Sequence, residues 1–211
     1  MENINYEIIS ESSTIEKEKI KLNREWAFWE NYATKEKSGT GYCDLLKEIY
    51  TFEDIISFWQ FWNNYPGNDT KKIFYNGEYI TYFFKEKYRI NALNLFVKGI
   101  RPEWEDEKNA KGKIFMLEYE ITNNKNDIEQ FLSAANEIWS KLLIYLIGEQ
   151  LPYSENINGV RFVDKTKLGK GAVFKFEVWA NKNMTNKDEI ETLKNFLSEH
   201  FKSGIIVKNI A

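Results

Sequence analysis

Between Asn126 and Ile147 the apolar residues fall on a single helical stripe: Ile128, Phe131, Leu132, Ala135, Trp139, Leu142, Leu143 and Leu146 recur three and four positions apart. A helix that is this long and apolar on one side only must lie on a broad apolar surface, and Gly148 is placed to end it. A second helical pattern opens at Thr51 and uses Phe52, Ile55, Ile56, Trp59 and Trp62 before Asn63, Asn64, Pro66 and Gly67 stop it. A third runs from Asn186 to Lys202 through Ile190, Leu193, Phe196, Leu197 and Phe201. Between these lie strand-like runs at Trp26–Tyr32, Leu45–Tyr50, Leu93–Val97, Lys113–Ile121, Gly159–Lys165, Ala172–Trp179 and Ile205–Ile210. Others fall within Lys71–Arg89, where Asn76-Gly77 reads as a hairpin turn. Several consecutive strands are joined by short links, which favours antiparallel pairing over βαβ crossovers. The expected fold is therefore α+β: a curved antiparallel sheet with three main helices on its convex face. Residues 1–21 are polar and read as a flexible arm, with one domain over 22–211.

The chain is 43 % apolar and 29 % charged, ordinary proportions for a globular protein. It has neither a membrane-length apolar run nor the basic and apolar regions of a secretory signal, so the expected compartment is the cytosol, with the nucleus as a second site. One cysteine, Cys43, and one histidine, His200, exclude an internal disulfide and make a Cys- or His-built metal site untenable. A formal net charge of −3 with well-mixed signs argues against tracking a long phosphate backbone; any nucleic-acid contact should be short. Aromatic residues reach 16 %, including seven tryptophans, more large π-faces than most cores need.

The run Arg101-Pro-Glu-Trp-Glu-Asp-Glu-Lys108 places a tryptophan among carboxylates. Burying such a run would be costly, so Trp104 is expected on an exposed loop with a stacking face free. A carboxylate beside it would accept two hydrogen bonds from the N1–H and N2–H₂ edge that guanine alone presents. Taken by itself, the run also reads as a solvated acidic loop or a divalent-cation site built on Glu103, Glu105, Asp106 and Glu107, which would suit a metal-dependent nucleotide hydrolase.

This run resembles the signature loop of the eukaryotic mRNA cap-binding translation initiation factors of the 4E type, and other segments match the family in the same order. Asn23-Arg24-Glu25-Trp26-Ala27-Phe28-Trp29 is similar to its first strand, and Phe58-Trp59 through Asn63-Asn64 to its first helix. Leu95-Phe96-Val-Lys98-Gly99-Ile100 resembles the lead into the tryptophan loop, Trp139 through Glu149 the second long helix, and Lys175-Phe-Glu-Val-Trp179 a late strand. The resemblance covers roughly residues 22 to 210, with extra segments near 66–88 and 166–172. It implies a cup-shaped domain that binds 7-methylguanosine in translation initiation, with no cofactor and no catalysis. Methylation at N7 gives the base a positive charge, so stacking gains a cation–π component of about 0.5–2 kcal/mol per face, and the carboxylate bond becomes charge-assisted.

Carried over by position, the resemblance implies that Trp104 is one stacking ring and Glu105 the acceptor for the guanine edge. Tyr42 stands where the family usually has the second tryptophan, which implies weaker stacking. Trp179 matches the residue that touches the N7-methyl, and Lys175, on the same strand face, the residue that meets the phosphates. The family's arginine on the preceding strand has no obvious equivalent; Lys165 occupies its position, with Arg161 and Lys170 as substitutes. By spacing alone Trp59 and Trp62 are packing residues. The resemblance instead implies that Trp59 anchors a partner, with Ile55, Ile144 and Gly148, in a groove for a scaffold initiation factor or an inhibitor carrying a short amphipathic helix. A rival alignment places Ile56 at that anchor. Ser140 and Lys141 depart from the family's apolar residue and acid, so the partner motif should differ, or the chain should be a repressor-like cap binder that recruits no scaffold. Lys167-Leu-Gly-Lys-Gly171 lacks the spacing of a phosphate loop.

Overall fold

Strand-length runs rich in β-branched and aromatic residues, with bulges that let the strands bend, build one seven-stranded sheet among the described residues, in the order β2-β1-β3-β5-β6-β4-β7. The computed structural model describes residues 20–34, 45–75, 88–121, 127–166 and 171–210. The strands are β1 (Lys21–Thr34), β2 (Leu46–Asp54), β3 (Tyr88–Val97), β4 (Lys113–Ile121), β5 (Ile157–Asp164), β6 (Ala172–Ala180) and β7 (Ile205–Asn209). Every pairing is antiparallel. Register shifts interrupt β1 on both edges and β5 beside Gly159, and the sheet curves as expected.

The helices are α1 (Ile55–Asn64), a short α2 (Thr70–Phe74), α3 (Ile128–Ile147) and α4 (Lys187–Phe201). They cover one face of the sheet. Phe28, Leu95, Leu117, Val160, Phe162 and Phe176 point from the strands into the same core as Phe58 and Trp62 of α1, Leu132, Trp139 and Leu143 of α3, and Leu193 and Leu197 of α4. Each such side chain taken out of water contributes about 1.5–3 kcal/mol. Among the described residues, no helix is long and apolar enough to cross a membrane.

One expectation needs correction. The helix expected from Thr51 begins at Ile55, because Asp54 caps it: its carboxylate accepts from Ser57 N at 2.8 Å and Ser57 Oγ at 2.7 Å. Phe52 therefore belongs to β2, opposite Trp26. The chain then forms α2, where Asp69 caps Lys71 N at 3.0 Å and Thr70 bonds Asn136 and the Leu132 carbonyl of α3; the strand-like runs expected within Lys71–Arg89 fall largely outside the described residues. The hairpin expected at Asn76-Gly77 lies outside the described residues. As expected, α3 stops at Gly148; Gly148 keeps φ −83°, and the left-handed turn is made by Glu149, at φ +51°. The Glu149 carboxylate accepts from Asn23 Nδ2 at 2.8 Å and Arg24 Nε at 3.1 Å, tying the end of α3 to the start of β1.

The polar core has one notable member. Glu30 of β1 is buried and accepts from the Tyr65 hydroxyl at 2.6 Å and from the Tyr32 hydroxyl. Burial first, then Glu30 through its hydrogen bond and its charge, push both phenols well above their ordinary pKa.

Candidate ligand-binding face

On the face away from the helices, alternate strand residues line up across the sheet. Register places Asn94 of β3 beside Arg161 of β5, Arg161 beside Glu177 of β6, and Glu177 beside Met116 of β4. A parallel row runs from Phe96 through Gly159 and Trp179 to Ile114, and a third joins Val163, Lys175 and Glu118. Gly159 is required here, because a Cβ would lie 2.4 Å from the Phe96 ring and 2.5 Å from the Leu95 carbonyl. Trp179 consequently packs edge-on against Phe96, with centroids 5.6 Å apart, and Ile100 and Ile210 complete a small apolar cluster around them.

Ile100 in this cluster anchors the loop between β3 and β4, which carries Trp104. The loop is braced at every turn. Asp106 accepts from Arg101 N at 2.8 Å and Lys108 N at 2.9 Å. Asn109, fully buried, donates through Nδ2 to the carbonyls of Arg101 and Glu103 at 2.8 and 2.9 Å, while its Oδ1 accepts from Asn158 of β5 at 2.8 Å. Glu103 turns inward and is held by Arg101 at 2.6 Å. The braces leave Trp104 60 % exposed, and Glu105 exposed beside it. Two of the four carboxylates weighed for a metal site, Glu103 and Asp106, are thus engaged in holding the loop. Among the described residues no group of three or more His, Cys, Asp or Glu side chains is arranged to hold a metal ion.

The basic residues singled out in the sequence converge on the open face, except Lys170, which with Tyr42 lies outside the described residues. Arg161 is largely buried, 3.9 Å from Glu177, with its guanidinium 5.9 Å from the Trp179 ring centre. Lys175 bonds Glu118 at 2.8 Å. Lys165 follows β5 directly, exposed as a whole; partial burial of its charge, then the nearby Arg161, lower its pKa despite the pull of Glu177. Trp179 lies on the expected face but has 0 % of its surface exposed, and its Nε1 donates to Glu177 at 2.9 Å. In this conformation it is a floor beneath Arg161, not an open contact surface.

On the helix side, Trp59 and Ile144 are each 40 % exposed, Gly148 is exposed and Ile55 half-buried, whereas Trp62 is core. The rival anchor Ile56 is half-buried. Lys141 is paired within its own helix, 2.7 Å from Glu137. Sequence reasoning missed the Asn109–Asn158 brace, the inward turn of Glu103, and the pairing of Glu118 and Glu177 with the cations. The brace and the two pairings depend on which strands are neighbours, for which a single strand carries no signal; the turn of Glu103 toward Arg101, two residues away, depends on the backbone path of the loop.

Residues 21–206 match the family model described as eukaryotic initiation factor 4E. Among curated relatives, the chain is 30 % identical over 153 residues to eukaryotic translation initiation factor isoform 4E of Solanum lycopersicum, covering 72 % of this chain and 63 % of the relative. It is 31 % identical over 140 residues to eukaryotic translation initiation factor 4E of Candida albicans, covering 66 % and 56 %. The match thus spans less than two thirds of the length of these relatives. Solved structures with the same fold include C. elegans eIF4E-3 in complex with the 4E-binding protein Mextli (TM-score 0.62, 19 % identity, 90 % of this chain and 93 % of that one). Ascaris suum eIF4E-3 with an m2,2,7G cap is similar to the same degree (TM-score 0.61, 22 % identity, 90 % and 91 %).

Proposed function

We propose that this chain, which belongs to the eukaryotic initiation factor 4E family, binds the 7-methylguanosine cap at the 5′ end of mRNA and serves translation initiation in the cytoplasm as a binding protein, not an enzyme. The observation that carries this reading is Trp104: an indole 60 % exposed on a loop fixed by buried hydrogen bonds, with the exposed carboxylate of Glu105 beside it. An aromatic face held open at a cost in solvation, next to an anion, favours a flat cation with two N–H donors on one edge. 7-Methylguanine is such a group, whereas unmethylated guanine lacks the charge. Arg161, Lys165 and Lys175 stand on the adjoining face as phosphate partners, with Trp179 supporting Arg161 from beneath. Tyr42 supplies the second ring in this reading, and Lys170 a further phosphate contact. The Ascaris suum relative of the same fold holds a cap, which supports the assignment.

Trp59, Ile55, Ile144 and Gly148 form the surface for a protein partner bearing a short amphipathic helix, a scaffold factor or an inhibitor. The C. elegans relative in complex with Mextli supports a partner of that kind. Lys141, engaged with Glu137, replaces the acid usual in the family, which favours a partner with a different charge pattern and keeps the repressor-like alternative in view. The function is tested by retention on immobilised 7-methyl-GTP: the protein should elute with free 7-methyl-GTP but not with GTP, and Trp104→Ala should pass unretained. Equal elution by the two nucleotides would overturn the reading.

A further inference from the structure

Three cations reach the open face beside the Trp104 loop, and two of them already face carboxylates. Arg161 lies across from Glu177, and Lys175 directly across from Glu118. Residues directly opposite in an antiparallel pair are held within side-chain reach by the register itself, so these pairings do not depend on chance side-chain placement. The two carboxylates are not equivalent. Glu177 is buried and also accepts from Trp179 Nε1 at 2.9 Å, so it is committed to the floor of the site. Glu118 is about one-third exposed, and its ion pair with Lys175 at 2.8 Å is its one cross-strand bond among those described. Lys165, by contrast, forms no ion pair with another described residue.

We infer that Glu118 is a specificity-determining residue: it occupies Lys175 in the free protein and acts as an internal competitor for the phosphate chain of the ligand. This rests on the cap-binding reading above. An incoming phosphate must either displace the carboxylate from Lys175 or share the ammonium with it, and once displaced Glu118 remains a like charge on the same face. Both effects oppose the phosphates and leave the base unaffected, because the base is recognised on the loop. The site as folded therefore depends more on the methylated base, and less on the number of phosphates, than its three cations alone would give. Neutralising Glu118 frees Lys175 for charge-assisted bonds to phosphate oxygens, which are stronger than neutral ones.

The test compares 7-methyl-GTP with the 7-methylguanosine nucleoside by titration against the full chain, in the wild type, Glu118→Gln, Lys175→Gln and the double variant. The ratio of the two affinities should rise by roughly twofold to fivefold in Glu118→Gln, a range set by the partial exposure of the pair. The rise should be clearly smaller when Lys175 is already Gln, because only the like-charge repulsion is then left to remove. Glu118→Ala gives the same readout should the glutamine variant fold poorly. An unchanged ratio, or an equal rise in the Lys175→Gln background, overturns the inference while leaving cap binding intact. A wild-type protein with no preference for methylated over unmethylated nucleotide would instead overturn the cap-binding reading itself.

Discussion

Asn158 Nδ2, on the strand that carries Arg161, lies 2.8 Å from Asn109 Oδ1, in the loop that carries Trp104. The same amide also donates to the Lys108 carbonyl at 2.8 Å. One buried pair thus joins the loop proposed to meet a base to the strand proposed to meet phosphates, and holds the loop in place. Preorganisation of this kind lowers the ordering cost of binding.

Replacing Asn109 with alanine removes both carbonyl contacts and leaves Asn158 short of an acceptor. Loss of stability of about 1–3 kcal/mol is expected, because buried polar groups lose their partners. A thermal melt will show the loss, and 7-methyl-GTP binding should weaken further than the melt alone explains, since Trp104 is no longer held. Unaltered affinity in a destabilised protein would mean that the loop orders on binding.

The two tryptophans of α1 should respond in opposite ways. Trp62 packs in the core, so Trp62→Ala is expected to cost about 3–5 kcal/mol of stability. Trp59 is 40 % exposed and should tolerate alanine with little change in the melt, while losing affinity for an amphipathic partner helix by about 2 kcal/mol or more. Chemical denaturation and peptide titration separate the two effects.

Lys165 carries a pKa lowered by partial burial and by Arg161, and lowered also by Lys175. Its positive charge is therefore present below that depressed pKa and is lost as pH rises through it, earlier than for an ordinary lysine. The ratio of 7-methyl-GTP to 7-methylguanosine affinity should fall on going from neutral to about pH 10, and Lys165→Arg should hold the ratio up, because a guanidinium stays charged throughout. Using the ratio removes titration of the base itself.

Much of this architecture is legible in the sequence where periodicity is unambiguous. The bounds of β4 coincide with the run Lys113–Ile121, and the buried stripe of α3 is the one its spacing implies. Phe52 was ambiguous in principle, since its spacing from Ile55 and Ile56 suits a helix while its pairing with Trp26 makes it strand. The left-handed residue after α3 is Glu149 although glycine precedes it, because the Glu149 side chain gains Asn23 and Arg24 as partners by turning there. In the site, exposure of Trp104 follows from its charged neighbours, but the inward turn of Glu103 does not, as it requires Arg101 alongside. Glu118 carries no local signal at all; its role exists only once β4 and β6 lie in register.

The central claim is that the Trp104 indole and the Glu105 carboxylate together prefer a positively charged purine. Tryptophan-fluorescence titration with 7-methyl-GTP and GTP, on the wild type and on Trp104→Ala and Glu105→Ala, tests it most directly. Marked quenching by the methylated nucleotide alone, abolished in both variants, is the predicted result; matching responses to the two nucleotides, or quenching that survives in Trp104→Ala, would contradict it.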